Sequence, residues 1–407
     1  MKIATMRQVD HWFGSAICFL LTGLRKVGNL NSVSNSTASE NPRSILIVKL
    51  AEQGATVLAY KAISRAIEMV GRENVYFLVF GENRFVLDAM NVLPEKNIFA
   101  IDTENFGALA ISAVQALGKI RKLCIDAAVD FEFFARGSAI LTFLSGAKTR
   151  VGLHSFAGEG PYRGDLMTHR ISYNPHIHTS QMFESMVCAI SSPSSQLPAL
   201  NFDTPQVQSF TPAFIPSDAE LQEVRNIIQS HTRTSEYRPL VLLNANASDL
   251  LPLRRWPAQR YVALAKLLID KSPAMRVAFT GTTAEKDIVE KLVASVASDR
   301  CFSLAGKTTF RQLLVLYHLA DLLVTNDSGP AHFASLTPVK IIVLFGPETP
   351  SLFGASSTNT SIIRKDIPCS PCVNAYNNRF SACKNNVCMQ KITVEEIFQL
   401  VSGLCNL

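Results

Sequence analysis

The chain has 407 residues, of which 47% are hydrophobic and 18% are charged, and its formal net charge is +6. This composition excludes a disordered protein and predicts two to three globular domains. The positive charge is mild for the length and few aromatic residues interleave the basic ones, so we expect no nucleic-acid partner. The charge suits anionic ligands or an anionic membrane surface.

The first 27 residues contain an apolar run from Trp12 to Leu24, with basic residues on both sides (Lys2, Arg7, Arg25 and Lys26). The run is too short for an ordinary transmembrane helix, and no secretory cleavage site follows it. Two interpretations stay open: a helix lying in a membrane interface, or a helix docked on the protein's own core. Residues 28–43, rich in Ser and Asn, predict a flexible linker, so this segment would be tethered and not integral to the fold.

From residue 44 onward, strand and helix patterns alternate. The predicted strands are 45–50, 75–80, 97–101, 123–129 and 150–153, and the predicted helices are 54–70, 106–117 and 131–145. This alternation predicts a doubly wound parallel sheet over residues 44–205. Its ligand-binding edge should carry residues 51–54, 130–132 and His154. The polar stretch 158–178, with Arg163, Arg170, His176 and His178, is either a substrate-facing loop or an ordinary surface loop.

Residues 191–216, rich in Pro, Ser and Gln, predict an interdomain linker. The alternation then restarts. We expect strands at 240–245, 276–280, 322–324 and 339–345, and helices at 218–230, 258–269, 284–296, 310–319, 331–336 and 392–404. The sequence therefore predicts a second Rossmann-like domain over residues 216–391, a C-terminal helix within 392–407, and a cleft between the two domains.

The densest chemistry lies in residues 322–350. An apolar strand stops at Asn326-Asp327-Ser328-Gly329-Pro330, where Gly329 permits a sharp turn and Pro330 suits the first turn of a helix. A second strand ends nearby, at Gly346-Pro347. Free N–H groups at the helix start, with His332 close by, favour an anion, which we predict to be a diphosphate. The alternative is a pair of ordinary strand-to-helix turns.

Five motifs in chain order carry a resemblance to a known family. They are Asn244-Ala245-Asn246-Ala247-Ser248, Arg254-Arg255-Trp256-Pro257, Phe279-Thr280-Gly281 with Glu285, Asp327-Ser328-Gly329-Pro330-Ala331-His332, and Leu344-Phe345-Gly346-Pro347 with Pro350. With these motifs the chain resembles glycosyltransferase family 9, the lipopolysaccharide heptosyltransferase family, over about residues 44–404.

The resemblance implies the GT-B fold and an inverting, metal-independent transfer of a sugar, heptose by family default. The donor would be a nucleoside-diphosphate sugar such as ADP-heptose, and the acceptor a lipopolysaccharide core or related glycolipid. The implied location is peripheral, on the cytoplasmic face of the bacterial inner membrane. In agreement with metal independence, the sequence contains no Asp-x-Asp motif.

The resemblance also assigns roles to residues. Arg254 and His332 are expected to stabilise the leaving diphosphate. The donor site is expected to comprise Asn246, Ser248, Arg254, Arg255, Gly281, Glu285, Asp327, Ser328, Gly329, Pro330 and His332. The acceptor site is expected to comprise Gly54, Asp130, Arg163 and His178. For Glu285, a ribose contact and an exposed acid in the first turn of a helix are both open.

The expected catalytic base departs from the family pattern. Family members carry Gly-Asp after the first strand, whereas this chain has Gly54-Ala55 at the matching place. Glu52, in the same loop, is the predicted base, with Asp130 and Glu132 in reserve. The alternatives are a non-catalytic nucleotide-sugar-binding protein that lost the base, and a nucleotide-sugar epimerase.

The nine cysteines fall into two groups. Five are scattered, several of them in apolar runs where a thiol behaves as a small hydrophobe, which argues for a reducing compartment. The other four, Cys369, Cys372, Cys383 and Cys388, are spaced for a structural zinc site, for disulfides, or as free thiols in a packed loop. We expect no cofactor to be required for catalysis.

Overall fold

The computed structural model describes residues 3–30, 42–199, 214–232, 236–249, 251–377 and 379–406. The chain divides into two compact units, Met1–Gln208 with Ala375–Asn378 (unit 1) and Ser209–Asn374 with Arg379–Leu407 (unit 2). Each unit contains one six-stranded sheet. This confirms the predicted α/β class with two Rossmann-like domains. The predicted linkers at 28–43 and 191–216 lie largely outside the described residues.

The sheet of unit 1 has the strand order β3-β2-β1-β4-β5-β6, and its paired strands are parallel. Val48 pairs with Asp130, so the carboxyl ends of β1 and β4 lie side by side. The strands are β1 (Ile45–Val48), β2 (Val75–Phe80), β3 (Ile98–Ile101), β4 (Ala127–Asp130), β5 (Thr149–Leu153) and β6 (His169–Ile171).

Eight α-helices accompany this sheet in the described residues. They are α1 (Ile3–Val9), α2 (Ser15–Leu30), α3 (Gln53–Leu58), α4 (Tyr60–Val70), α5 (Arg84–Met90), α6 (Phe106–Lys122), α7 (Arg136–Leu144) and α8 (Thr179–Cys188). A π-helical turn, Asp10–Gly14, joins α1 to α2. Helices α5 and α8 and strand β6 were not predicted, because they are short and lie in polar or mixed sequence.

The N-terminal helices pack on unit 1, so the prediction of a tethered segment outside the fold is wrong. The Asp10 carboxylate accepts hydrogen bonds from the Arg136 and Gly137 backbone N–H groups at the start of α7. Cys18 is fully buried in a cluster with Leu166 and other residues of the domain. The helix also continues to Leu30, into the predicted linker. None of the helices in the described residues is long and apolar enough to cross a membrane.

Two predicted boundaries in unit 1 are corrected by local backbone geometry. The helix expected from residue 131 begins at Arg136, because the preceding loop contains Phe134 at a φ of 57° and uses Glu132 to bind the end of β1. The strand expected from residue 123 begins at Ala127, because Cys124 has a left-handed φ of 49°. Neither conformation continues a regular element.

The sheet of unit 2 has the order β12-β11-β10-β7-β8-β9, again with parallel pairs. Its strands are β7 (Leu240–Asn244), β8 (Arg276–Phe279), β9 (Cys301–Ser303), β10 (Leu322–Asn326), β11 (Lys340–Phe345) and β12 (Thr360–Arg364). Its helices are α9 (Asp218–Thr232), α10 (Ala258–Lys271), α11 (Lys286–Val296), α12 (Phe310–Leu319), α13 (Gly329–Ala334), α14 (Pro350–Phe353), α15 (Val387–Gln390) and α16 (Val394–Cys405).

The core of unit 2 explains why its strands are continuous apolar runs in the sequence. Val241, Leu243, Val324 and Leu344 are fully buried, since helices cover the sheet. The indole Nε1–H of Trp256 donates to the carbonyl oxygen of Ile392 (2.9 Å), which ties the residues before α10 to the start of the C-terminal helix. Strands β9 and β12 were not predicted. The core thus fixes the positions of the loops that follow β7, β10 and β11.

Candidate active site

Asn326, the last residue of β10, joins three segments at the carboxyl edge of the unit 2 sheet. Its Oδ1 accepts hydrogen bonds from the Trp256 backbone N–H (2.9 Å) and the Tyr261 hydroxyl (3.1 Å). Its Nδ2 donates to the carbonyl oxygens of Ala245 and Asn246, both at 3.1 Å. Because Asn326 is fully buried, these bonds hold the loop after β7 and the start of α10 against the end of β10.

Arg254 contacts two acidic side chains at this edge. Its Nη1 lies 3.4 Å from Oε2 of Glu348 and 3.9 Å from Oδ2 of Asp327. Asp327 follows β10 and Glu348 follows β11, which are neighbouring parallel strands. The Nε of Arg254 is a buried donor without a hydrogen-bond partner among the described residues. The guanidinium is therefore held at the carboxyl edge of the sheet, where doubly wound sheets bind ligands. Its Nε–H group is available to donate a hydrogen bond to a ligand.

Asp327 and Glu348 form a buried pair of neighbouring carboxyl groups, both in contact with Arg254. Burial, and then the neighbouring Glu348 carboxylate, raise the pKa of Asp327 well above its ordinary value, against the opposing charges of Arg254 and Arg379. The uncharged form of Asp327 is therefore favoured, and two guanidinium groups stand beside the pair.

Arg379 supplies the second guanidinium, and sequence reasoning did not single it out. Its Nε lies 3.1 Å from Oε1 of Glu348, and its guanidinium carbon lies 4.6 Å from the centre of the Phe353 ring. Arg379 belongs to the Cys-rich segment 369–388. No sequence motif marks it, because the contact with Glu348 depends on how this segment folds back on the end of β11.

The turn after β10 has the predicted form. Ser328 is the N-cap of α13, Gly329 opens the helix, and Pro330 occupies its first turn. A Cβ on Gly329 would lie 3.0 Å from the Phe333 ring, so a side chain at this position would require the ring to shift. His332 is buried within the helix. Because α13 has only six residues, its dipole is small, and Arg254 is the stronger attraction for an anion.

The loop after β7 contributes Asn246, Ser248 and Arg255. The Nδ2 of Asn246 is a buried donor without a hydrogen-bond partner among the described residues, and it lies 3.1 Å from where a Cβ on Gly281 would stand. The Ser248 carbonyl accepts from the Leu251 N–H at 3.2 Å. Arg255 turns toward its own loop and donates to the Ala247 carbonyl oxygen. Asn246 and Arg254 therefore both direct donors into this edge, whereas Arg255 braces the loop.

Glu285 caps the helical turn that precedes α11. Its Oε2 accepts from the Thr282 N–H at 2.7 Å and from the Thr282 hydroxyl at 2.9 Å, which completes a capping box. This matches the interpretation of Glu285 as an acid in the first turn of a helix. A ribose contact through its other oxygen stays a prediction.

In unit 1, the loop after β1 is organised by Lys49. The fully buried Nζ donates to Oε1 of Glu132 (3.0 Å) and to the Ala51 carbonyl (2.6 Å), and lies 3.7 Å from Oε2 of Glu52. The same Glu132 oxygen accepts from the Leu50 and Ala51 N–H groups at 2.7 and 2.8 Å. Glu132 is thus engaged in holding this loop, which argues against it as the base.

Glu52 lies at the carboxyl end of β1, in the same loop, and its side chain is partly exposed. Its backbone is left-handed, with a φ of 67°. Such a conformation is strained for a residue with a side chain and persists where the surroundings enforce it, often at functional sites. Gly54 follows in the first turns of α3. Among the three predicted carboxylates, Glu52 is the one that is partly exposed; Asp130 and Glu132 are buried.

Two of the predicted acceptor ligands, Asp130 and Arg163, form an ion pair with each other inside unit 1. The Ser138 hydroxyl also donates to Asp130 (2.9 Å), and burial raises the pKa of Asp130 while Arg163 opposes that shift. Arg163 further donates to the carbonyls of Ala135 (2.9 Å) and Leu153 (3.2 Å). This pair braces the loop after β5 from within, and acceptor contact by Asp130 or Arg163 stays a prediction.

His178, another predicted acceptor ligand, is the N-cap of α8. Its Nδ1 accepts from the Ser180 N–H at 3.3 Å, and Gln181 completes a capping box. Its role in the structure is therefore to start a helix, and acceptor binding by His178 stays a prediction.

The four clustered cysteines are free thiols, and Cys388 is buried. Burial raises the pKa of the Cys388 thiol, and the nearby Cys372, Cys369 and Cys383 add to that shift. Among the described residues, no group of three or more His, Cys, Asp or Glu side chains is arranged to hold a metal ion. Of the three alternatives, the structure shows free thiols and no disulfide among these cysteines, and structural zinc stays a prediction from spacing.

Two Rossmann-like units, the second with an arginine–carboxyl cluster at its ligand-binding edge, define an α/β protein with the fold of GT-B glycosyltransferases. Residues 133–381, more than half of the chain, match the model of glycosyltransferase family 9 (heptosyltransferase), and the chain belongs to this family.

Comparison with known proteins gives the same family. The chain is 29% identical over 143 residues to lipopolysaccharide heptosyltransferase 2 of Salmonella typhimurium, a match that covers 34% of this chain and 40% of that protein. Among solved structures, E. coli ADP-heptose LPS heptosyltransferase II has a TM-score of 0.68 at 19% identity, covering 89% of this chain and 98% of that one. E. coli heptosyltransferase WaaC with ADP has a TM-score of 0.61 at 14% identity, covering 89% and 99%. At these identities the structures establish the fold alone.

Proposed function

We propose that this protein transfers heptose from a nucleoside-diphosphate donor, ADP-heptose or a close analogue, to a lipopolysaccharide-core or related glycolipid acceptor. The observation that carries the proposal is the Arg254 cluster at the ligand-binding edge of unit 2, in a chain that belongs to a heptosyltransferase family. The ADP bound to the E. coli relative WaaC supports the choice of donor nucleotide.

The chemistry is a single displacement. The acceptor hydroxyl oxygen forms a bond to the anomeric carbon while the bond from that carbon to the diphosphate oxygen breaks. The bonding electrons pass to the diphosphate, and the hydroxyl proton passes to a base, so the anomeric configuration inverts. The protein must therefore supply a base on the acceptor side and positive charge on the leaving-group side.

On the leaving-group side, Arg254 and Asn246 supply donors and His332 lies in the adjoining helix. Among the described residues, the buried Nε–H group of Arg254 has no hydrogen-bond acceptor, and neither does the Nδ2 amide group of Asn246. A guanidinium binds phosphate through two parallel hydrogen bonds and keeps its charge throughout the reaction. We assign the stabilisation of the diphosphate to these groups, without a catalytic metal.

On the acceptor side, we assign the base to Glu52. It is the partly exposed carboxylate at the carboxyl end of β1, and Lys49 and Glu132 hold its loop in one conformation. A rigid loop supports catalysis because the carboxylate is already oriented before the acceptor binds, so no conformational entropy is lost in ordering the loop. Glu52 would thus take over from the aspartate that family members carry at the position of Ala55.

We further propose that α2 docks the enzyme on the cytoplasmic face of an anionic inner membrane, where a glycolipid acceptor resides. Seven large apolar side chains on the π-turn and α2 are 41–72% exposed: Trp12, Phe13, Ile17, Phe19, Leu20, Leu24 and Val27. The opposite face is buried against unit 1 through Cys18 and Thr22. An apolar helix face bordered by the exposed Lys26 suits the boundary between lipid headgroups and acyl chains.

The test is an assay of ADP release, from which the ADP formed by hydrolysis of the donor alone is subtracted. Purified protein is incubated with ADP-heptose, with and without acceptor glycolipid, and ADP is measured over time. The proposal predicts ADP release that depends on the glycolipid. Binding of ADP-heptose without any transfer would instead support a non-catalytic nucleotide-sugar-binding protein.

A further inference from the structure

Arg379 occupies a position that no motif explains. Its guanidinium contacts Oε1 of Glu348, while that of Arg254 contacts Oε2 of the same carboxylate. The two guanidinium groups therefore stand on either side of one side chain that is only 2% exposed. Their own side chains are 20% and 14% exposed, so both reach from the interior to the surface of the edge.

Two guanidinium groups beside one buried carboxylate suit a diphosphate, which carries negative charge on both of its phosphates. Because burial and the neighbouring Glu348 raise the pKa of Asp327, its uncharged form is favoured, and this carboxyl group offsets less of the arginines' positive charge. A single arginine at this edge would neutralise only part of a diphosphate's charge.

The fold fixes Arg379 before any ligand arrives. Its guanidinium lies over the face of the buried Phe353 ring, which restricts the orientation of the planar group. Its backbone has a φ of 56°, and its N–H donates to the Asn374 carbonyl at 2.9 Å. This left-handed backbone is strained for a residue with a side chain, and the surrounding fold holds it in place.

We propose that Arg379 is a second cationic ligand of the donor's diphosphate, held by Glu348 and Phe353 across from Arg254. This inference rests on the proposed function, since it takes unit 2 as the donor site. It gives the Cys-rich segment a role in binding, because that segment carries the arginine to the end of β11.

Titration calorimetry with the wild-type chain, Arg379→Ala and Arg379→Lys tests the inference, with ADP, inorganic pyrophosphate and adenosine as ligands. Arg364→Ala is the matched control, because Arg364, the last residue of β12, pairs with the exposed Asp366 in the loop that follows. We expect Arg379→Ala to weaken ADP and pyrophosphate binding roughly tenfold to a hundredfold and to leave adenosine binding unchanged. Arg379→Lys, which keeps the charge and loses the planar fork, should weaken ADP binding severalfold.

ADP affinity within twofold of wild type in Arg379→Ala, or an equal loss for adenosine, would overturn the inference. If circular dichroism shows that Arg379→Ala does not fold, Arg379→Lys decides, and unchanged ADP affinity in that variant rejects the inference. Wild-type protein that binds ADP but transfers no heptose would count against the proposed function and leave the Arg379 result intact.

Discussion

The carboxyl groups of Asp327 and Glu348 are buried beside each other, after two neighbouring parallel strands, and Arg254 contacts both of them. Arg379 contacts Glu348 as well. Burial and the neighbouring Glu348 raise the pKa of Asp327, which favours its uncharged form and explains how two acids are buried at an edge assigned to an anionic ligand.

The pair makes stability depend on pH. Because the pKa of Asp327 is raised in the folded state, its proton stabilises the fold at low pH, and this stabilisation is lost as the pH rises through the folded-state pKa. Asparagine at this position has nearly the same size as aspartate and does not titrate. We expect Asp327→Asn to raise the Tm by a few degrees at pH 8 and by nothing near pH 4.

Thermal unfolding of wild type and Asp327→Asn across pH 4–9 measures this difference. Asp249→Asn is the control, since the Asp249 side chain is 94% exposed. A Tm difference between Asp327→Asn and wild type that stays constant with pH would show that the pKa of Asp327 is not raised in the folded state.

Arg254 and Arg255 are neighbours in sequence with different surroundings, and they provide a matched comparison. Arg254 contacts Glu348 and Asp327, whereas Arg255 donates to its own loop. We expect Arg254→Ala to lower kcat/KM about a hundredfold or more, because it removes charge from the leaving-group side. Arg255→Ala should cost less than tenfold. Steady-state kinetics with ADP-heptose check this, and equal losses would contradict the assignment of Arg254.

The exposed apolar face of α2 predicts membrane binding that depends on individual side chains. Burying a large apolar side chain contributes about 1.5–3 kcal/mol, so replacing two of them should weaken binding by roughly a hundredfold or more. The variant is Leu20→Ser with Leu24→Ser, and the readout is co-sedimentation with vesicles containing phosphatidylglycerol. The control replaces Ile288 and Ile362, exposed in unit 2, by Ser. Undiminished sedimentation of the α2 variant would refute membrane docking by this face.

The sequence predicted the sheets because parallel strands covered by helices are continuous apolar runs, as at Leu240–Asn244 and Lys340–Phe345. It also predicted that residues 322–350 form two adjacent strand ends, which the pairing of β10 with β11 confirms. Strands of three residues, such as His169–Ile171, carry too little pattern to detect.

The side-chain partners were harder to predict than the elements. Asp130 and Arg163 appeared as two ligands because each is polar and near a strand end, but the fold pairs them in the interior. Arg379 was not predicted as a site residue, because it reaches the site only through its contact with Glu348, which is distant in sequence. Pairing between distant segments depends on tertiary structure, and neither periodicity nor local motifs report it.

The assignment of Glu52 as the base is the central mechanistic claim. Glutamine at this position keeps the size of the side chain and cannot accept the acceptor's proton, so turnover should fall by about a hundredfold to ten-thousandfold while ADP binding is unchanged. Glu68→Gln, which replaces an exposed acid on α4, should retain wild-type turnover.

The decisive measurement is mass spectrometry of the acceptor glycolipid after incubation with ADP-heptose and either wild-type protein or Glu52→Gln. Our account predicts a mass gain of one heptose with wild type and its near absence with Glu52→Gln. Equal heptose addition by both proteins would contradict the assignment of Glu52, and no addition by wild type would contradict heptosyl transfer itself.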